Sequence, residues 1–120
     1  MKKLQLLFVA MLLVVGTSFA QVVTVTNPGN VGPTALSATY ASLAAAITDL
    51  NTKTSITGPV TITLNSGNPQ TNPAGGYAIN ATLSGASNTN RVTIAGSGNT
   101  ITAPNPAGTS GALNDAIFKV

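Results

Sequence analysis

The chain contains no cysteine, no histidine, no tryptophan and no glutamate, and only 6% of its 120 residues are charged. Each gap removes a class of chemistry. Without cysteine there are no disulfides and no thiolate metal sites. Without histidine no imidazole activates a serine, and neither a Ser-x-x-Lys nor a Gly-x-Ser-x-Gly elbow takes its place. The acidic inventory is Asp49 and Asp115, 66 positions apart. A glycosidase pair would have to be these two, and their expected places, a helix end and the start of a last strand, do not converge on one cleft. No Asp-x-Asp/Asn loop or glycine-rich nonapeptide offers calcium its oxygen ligands. We therefore expect no catalytic residue, no metal site and no cofactor. Aromatics are equally sparse. After the first twenty residues only Tyr40, Tyr77 and Phe118 remain, and the basic residues there, Lys53, Arg91 and Lys119, form no stripe. Nucleic acid is accordingly not an expected partner.

What the chain does have begins with an export signal. Lys2 and Lys3 precede an apolar run from Leu4 to Val15, and Ser18-Phe19-Ala20 is a small-x-small cleavage site before Gln21. The run is shorter than the ~20 apolar residues a bilayer span requires. Cleavage between Ala20 and Gln21 is expected, with the Sec export machinery as partner and no membrane span afterwards. No cysteine follows the site, so no lipoprotein anchor forms. Removing residues 1–20 leaves three basic against two acidic side chains, so the net charge of +3 for the whole chain owes two units to the leader.

The mature part is rich in Thr, Asn, Ser and Gly and reads as mainly β. Residues 21–36 give a strand at Val22–Thr26 and a Pro- and Gly-containing linker. From Ser37 to Leu50 the residues Tyr40, Leu43, Ile47 and Leu50 fall at helical spacing on one face. The spacing predicts an amphipathic helix over 37–50, capped by Ser37 or Thr39 and ended at Asn51, with Asp49 solvated in its last turn. The period then changes to two. Alternating or β-branched runs at Val60–Leu64, Tyr77–Leu83, Val92–Ala95, Thr100–Ala103 and Ala116–Val120 predict strands, separated by loops of Gly, Pro, Asn and Ser. The gaps between strand starts are too uneven for a strict hexapeptide repeat but suit coils joined by unequal loops. Two architectures stay open, a small β-sandwich and a parallel β-helix whose first coil the helix covers. Asn80, Asn90 and Asn99 are expected in ladders along stacked coils. The Asn80-Ala81-Thr82 sequon carries little weight in a predicted strand.

Gly96-Ser97-Gly98 directly follows an apolar run, as a phosphate loop would. The third glycine of a dinucleotide fingerprint is missing, and Thr100-Ile101-Thr102 leads to Pro104 rather than into a helix. Gly96 and Gly98 are read as a corner between two strands, with Val92, Ile94 and Ile101 pointing inward.

The segments TYASLAAAITDLN, GPVTITL, PAGGYAI, RVTIAGSGNTITAP and LNDAIFKV together resemble the N-terminal region of large secreted right-handed parallel β-helix proteins (pectin-lyase-like fold) of Bacteroidetes type, from about Tyr40 onward. The resemblance implies a fold and export, since its motifs are structural. Members of that group are longer and often end in a sorting domain for outer-membrane secretion. The β-helix lyases among them use acidic calcium ligands and a basic proton acceptor, and Arg91 here has no acidic neighbours, so no active site carries over.

As a last strand, Ala116–Val120 would leave an open edge. We therefore expect residues 37–120 to be a capping helix and first coils, pairing with downstream coils of a longer chain. Three functional readings remain. The chain is a non-catalytic cap of a secreted or cell-surface β-helix of adhesin or matrix type, contacting extracellular polysaccharide or another surface. Alternatively it is the front of a polysaccharide lyase or glycoside hydrolase whose active site lies beyond residue 120, or it is a small carbohydrate-binding module.

Overall fold

A computed structural model describes residues 21–102 and 117–120, so the expected signal at 1–20, Asp115 and the run 103–116 lie outside the described residues. The described chain is mainly β, with one short helix and several small sheets. The principal sheet has four strands in the order β3 (Thr39–Tyr40), β1 (Val23–Thr26), β5 (Val60–Leu64), β8 (Val92–Ala95). Strict alternation of β-branched residues in β1 and β5 sends Val23, Val25, Val60, Ile62 and Leu64 into the core and the intervening threonines to the other face.

The one helix, α1 (Leu43–Leu50), buries Leu43, Ala46, Ile47 and Leu50 in the same core. Burial of the three larger side chains stabilises the docked helix by about 1.5–3 kcal/mol each. It is shorter than the expected helix over 37–50. Ser42, in extended conformation, caps it by accepting from the Ala45 N–H at 3.1 Å. Thr39 and Tyr40 instead pair antiparallel with Thr24 and Val23. The extended form wins because β1 offers these residues a ladder, and because the Tyr40 ring then lies over the core while its hydroxyl reaches Asp49. The stretch 21–36, read as strand and linker, does more than link. β1 is an inner strand of the main sheet, and β2 (Val31–Gly32) pairs antiparallel with β4 (Ser55–Ile56).

β5 pairs antiparallel with β1, but the strands beyond the helix pair with one another in parallel. β5 pairs with β8 from Val60↔Val92 to Thr63↔Ala95. β6 (Gln70–Thr71) pairs with β9 (Ile101–Thr102), β7 (Tyr77–Ala78) with β10 (Phe118–Lys119), and Ser55 bridges Ser84. The partners are separated by 32 residues (Val60 to Val92), 31 (Gln70 to Ile101), 41 (Tyr77 to Phe118) and 29 (Ser55 to Ser84). Each short strand of one stretch thus lies beside the corresponding strand of the next. At the Ser84 bridge the backbones meet so closely that a Cβ on Gly85 would stand 2.5 Å from the Ile56 carbonyl oxygen, and Gly85 has φ +87°.

The expected strand at Tyr77–Leu83 is confined to Tyr77–Ala78. The reason is local: the Asn51 side chain donates to the Ala78 carbonyl at 2.8 Å and accepts from the Asn80 N–H at 2.8 Å, occupying backbone groups that a longer ladder would use.

Candidate functional site

Two polar clusters and one groove hold the described side chains that could carry chemistry. In the first cluster Asp49, on the last turn of α1, faces Lys53 four residues on, with Oδ1 2.7 Å from the Lys53 Nζ. Its other oxygen accepts from the Tyr40 hydroxyl at 2.5 Å, and that hydroxyl accepts from the Ser37 N–H at 2.7 Å. The Lys53 Nζ also donates to Thr34 Oγ1 at 3.1 Å. Lys53 is only 4% exposed, whereas the Asp49 side chain is 31% exposed. Asp49 is therefore not the solvated residue the sequence suggested. It holds a lysine that the turn after the helix carries inward.

Burial alone would raise the Asp49 carboxyl, but hydrogen bonds from Lys53 and Tyr40 outweigh it and keep the group below its ordinary value. Burial, reinforced by the bond to Asp49, pushes Tyr40 up to about 12. Both shifts lead away from neutrality, where a general acid or base would need its pKa. What this arrangement does is fasten β3, α1 and the Thr34 loop to one another.

The second cluster contains the corner at Gly96–Gly98. Ser97 and Gly98 take φ +48° and +77°, and the Asn99 N–H donates to the Gly96 carbonyl at 2.9 Å, closing a tight turn of left-handed residues. β8 enters this turn paired with β5 and β9 leaves it paired with β6, so the chain changes sheets there. Asn99 fixes the corner: its Nδ2 donates to the carbonyls of Gly96, Asn65 and Leu64, and its Oδ1 accepts from the Asn68 N–H at 2.7 Å. In the preceding turn, Asn68 donates to the carbonyl of Asn65, again three residues back. The expected ladder of Asn80, Asn90 and Asn99 does not form. Asn80 binds Asn51, and Asn90 binds Gly85 and Ser87, because each lies in a separate loop. The stacked pair is Asn68 with Asn99. A signal for it exists in the sequence, since VTITLNSGN (60–68) returns as VTIAGSGN (92–99), one residue shorter.

The groove, of about 200 Å³, runs between α1 and β7 and is lined by Ala44, Thr48, Asn51, Gly76 and Tyr77 among others. Its polar side chains are already engaged within the protein: Thr48 donates to the Ala44 carbonyl and Asn51 clamps the 78–80 backbone.

The residues singled out by sequence divide accordingly. Leu43, Ile47 and Leu50 share the buried face of α1, Tyr40 stands on β3 beside them, and Gly96 and Gly98 flank the corner. Of the cleavage pair, Gln21 is exposed at the start of the described chain and Ala20 lies outside it. Among the described residues no group of three His, Cys, Asp or Glu side chains could hold a metal ion, and no helix is long and apolar enough to cross a membrane. No protein family, curated protein or solved structure matches this chain.

Proposed function

We propose that this chain is the exported, non-catalytic N-terminal cap and first coils of a right-handed parallel β-helix, acting structurally at the cell surface or outside the cell. The observation that carries the reading is the set of parallel partners about one coil apart, Ser55 with Ser84, Val60 with Val92 and Gln70 with Ile101. A sandwich of hairpins would make these pairs antiparallel. Right-handedness follows from the strong preference of parallel crossovers for that hand. The antiparallel strand β1 and the helix α1 stand where a solenoid needs its first coil covered. The polar clusters favour a structural role, since their side chains bind the chain's own backbone and one another.

Absence of native cysteine makes the coil register directly testable. Thr61 and Thr93 are parallel partners, so their Cα atoms are about 4.8 Å apart, within the range a disulfide spans. Thr61→Cys with Thr93→Cys is expected to cross-link in the folded monomer. The diagonal pair Thr63→Cys with Thr93→Cys is expected to stay reduced, and the reverse result would overturn the stacked-coil reading. Export is tested separately by the N-terminus of the secreted product, expected at Gln21; retention of the chain with its leader intact would remove the extracellular role.

A further inference from the structure

We propose that the threonine face of the main sheet binds ice. The pairing register arranges its outward positions in two ranks across the strands. One rank runs Thr39, Thr24, Thr63, Ala95 and the other Thr26, Thr61, Thr93. Six of these seven positions carry the same side chain, one hydroxyl and one methyl. Strand propensity alone would be served as well by Val, Ile, Tyr or a mixture with charged residues. Here the face holds no charged and no aromatic side chain, and Arg91 stands only at its rim, before β8.

The geometry is that of a small lattice. The parallel pair β5–β8 places equivalent side chains about 4.8 Å apart, the antiparallel pairs β3–β1 and β1–β5 place them about 4.5 or 5.5 Å apart, and alternate residues along a strand are about 6.7 Å apart. The β-branched threonines are stiff at χ1, so hydroxyls and methyls keep those spacings. Of the six threonines on this face, only Thr24 bonds its hydroxyl to another described residue, donating to Asn65 Oδ1 at 3.0 Å. The hydroxyls of Thr26, Thr61, Thr63 and Thr93 remain available to water as donors and acceptors. The spacing across β5–β8 is close to the repeat of oxygens on the prism face of ice, so waters held by Thr61 and Thr93 fall near lattice positions.

Charge points the same way. A neutral face gives no attraction to an anionic polymer, and the lack of a ring offers no stacking platform to a sugar. A neutral hydrogen-bonding lattice suits a neutral crystalline partner. The natural setting of this activity rests on the proposed export, whereas the binding itself does not.

The test uses the purified secreted protein and its substituted forms, with circular dichroism to verify the fold. Ice is grown slowly from solution, and protein in the ice is compared with protein left in the liquid, alongside the shape of single ice crystals. The wild type is expected to be enriched in ice and to facet the crystals. Thr63→Lys, at the centre of the lattice, is expected to be excluded from ice. Thr93→Lys, on the edge strand where lysine is well tolerated, is expected to keep the fold and lose enrichment; it decides the matter if Thr63→Lys does not fold. Exclusion of the wild type from ice overturns the proposal, as does undiminished enrichment of the folded Thr93→Lys protein. So does retention on microcrystalline cellulose that these substitutions abolish while ice excludes every form. Cross-linking of the Thr61→Cys, Thr93→Cys pair together with exclusion of the wild type from ice would leave the coil reading standing and remove this one.

Discussion

Val60-Thr61-Ile62 and Val92-Thr93-Ile94 are the same three residues in parallel register, yet they live in different surroundings. Val60 and Ile62 are 1% and 0% exposed, while Val92 and Ile94 are half-buried. The first copy lies between β1 and β8 and shares one buried cluster with the apolar face of α1. The second has β5 on one side, and among the described residues no strand pairs with its other edge. The same contrast separates Tyr77, 2% exposed, from its partner Phe118, 36% exposed, although their rings pack 5.4 Å apart. Burial at these positions is therefore set by what flanks each strand, not by the strand's own sequence. The end carrying α1 is closed, and the layer of β8 and β10 is more open.

The largest effect should come from emptying the closed layer. Ile62→Ala removes a fully buried side chain and is expected to cost about 3–5 kcal/mol, whereas Ile94→Ala, at the matching register, should cost about 1–2 kcal/mol. Urea midpoints of the two variants measure the difference. Equal losses would break the comparison by showing the second layer to be as tightly packed as the first.

Next in size is Asp49→Ala. It leaves Lys53 buried without its carboxylate and Tyr40 without its acceptor, while the exposed side of the cluster lets water replace part of the loss. About 2–3 kcal/mol is expected. The double change Asp49→Ala with Lys53→Met should recover much of this, because an apolar chain then occupies the site. A double variant no more stable than the single one would mean that the pair does more than neutralise its own burial.

The two corners differ in a smaller way. Asn99→Ala removes donors to three carbonyls and the acceptor for the Asn68 N–H, and it should cost about 2 kcal/mol. Asn68→Ala loses contacts only to the nearby carbonyls of Asn65 and Ser66, and about 1 kcal/mol is expected. Thermal melts of both variants test whether it is the later asparagine that ties the two turns together.

This contrast also explains what the sequence disclosed. The five-residue alternation of Val60–Leu64 and the four residues of Val92–Ala95 are long enough to show a period, and both are strands at the expected bounds. Leu43, Ile47 and Leu50 do share one helical face, and the helix does end before Asn51. Two-residue strands such as Val31–Gly32, Ser55–Ile56 and Gln70–Thr71 have no period to detect, and pairing alone defines them. Tyr40 matched helical spacing by coincidence and Thr39 was read as a cap, and a tertiary partner, β1, overrode that local pattern. The burial of Lys53 was hidden because a lone lysine after a helix reads as solvated. The corner asparagines were legible only by aligning 60–68 with 92–99, an alignment masked by the missing residue and by the unequal spacing of adjacent strands.

The smallest effect, and the finest test of the closed end, is the pH dependence of the Tyr40–Asp49–Lys53 cluster. Asp49 is held below its ordinary value of 3.8, so it contributes stability that is present above that pH and is lost as pH falls through the lower folded value. Tyr40 moves the other way, from 10.0 up to about 12. Its contribution is fully present below pH 10 and is lost as pH rises from 10 toward 12, because the unfolded tyrosine releases its proton first. Tyr40→Phe should lower stability at pH 7 by about 1 kcal/mol through the lost hydrogen bonds, yet flatten the decline between pH 10 and 12. Some slope remains, since burial also raises Tyr77. Urea midpoints at pH 7, 10 and 11 decide it: parallel declines in wild type and Tyr40→Phe would show that the tyrosine titrates as if in water and that this end of the molecule is not closed over its polar cluster.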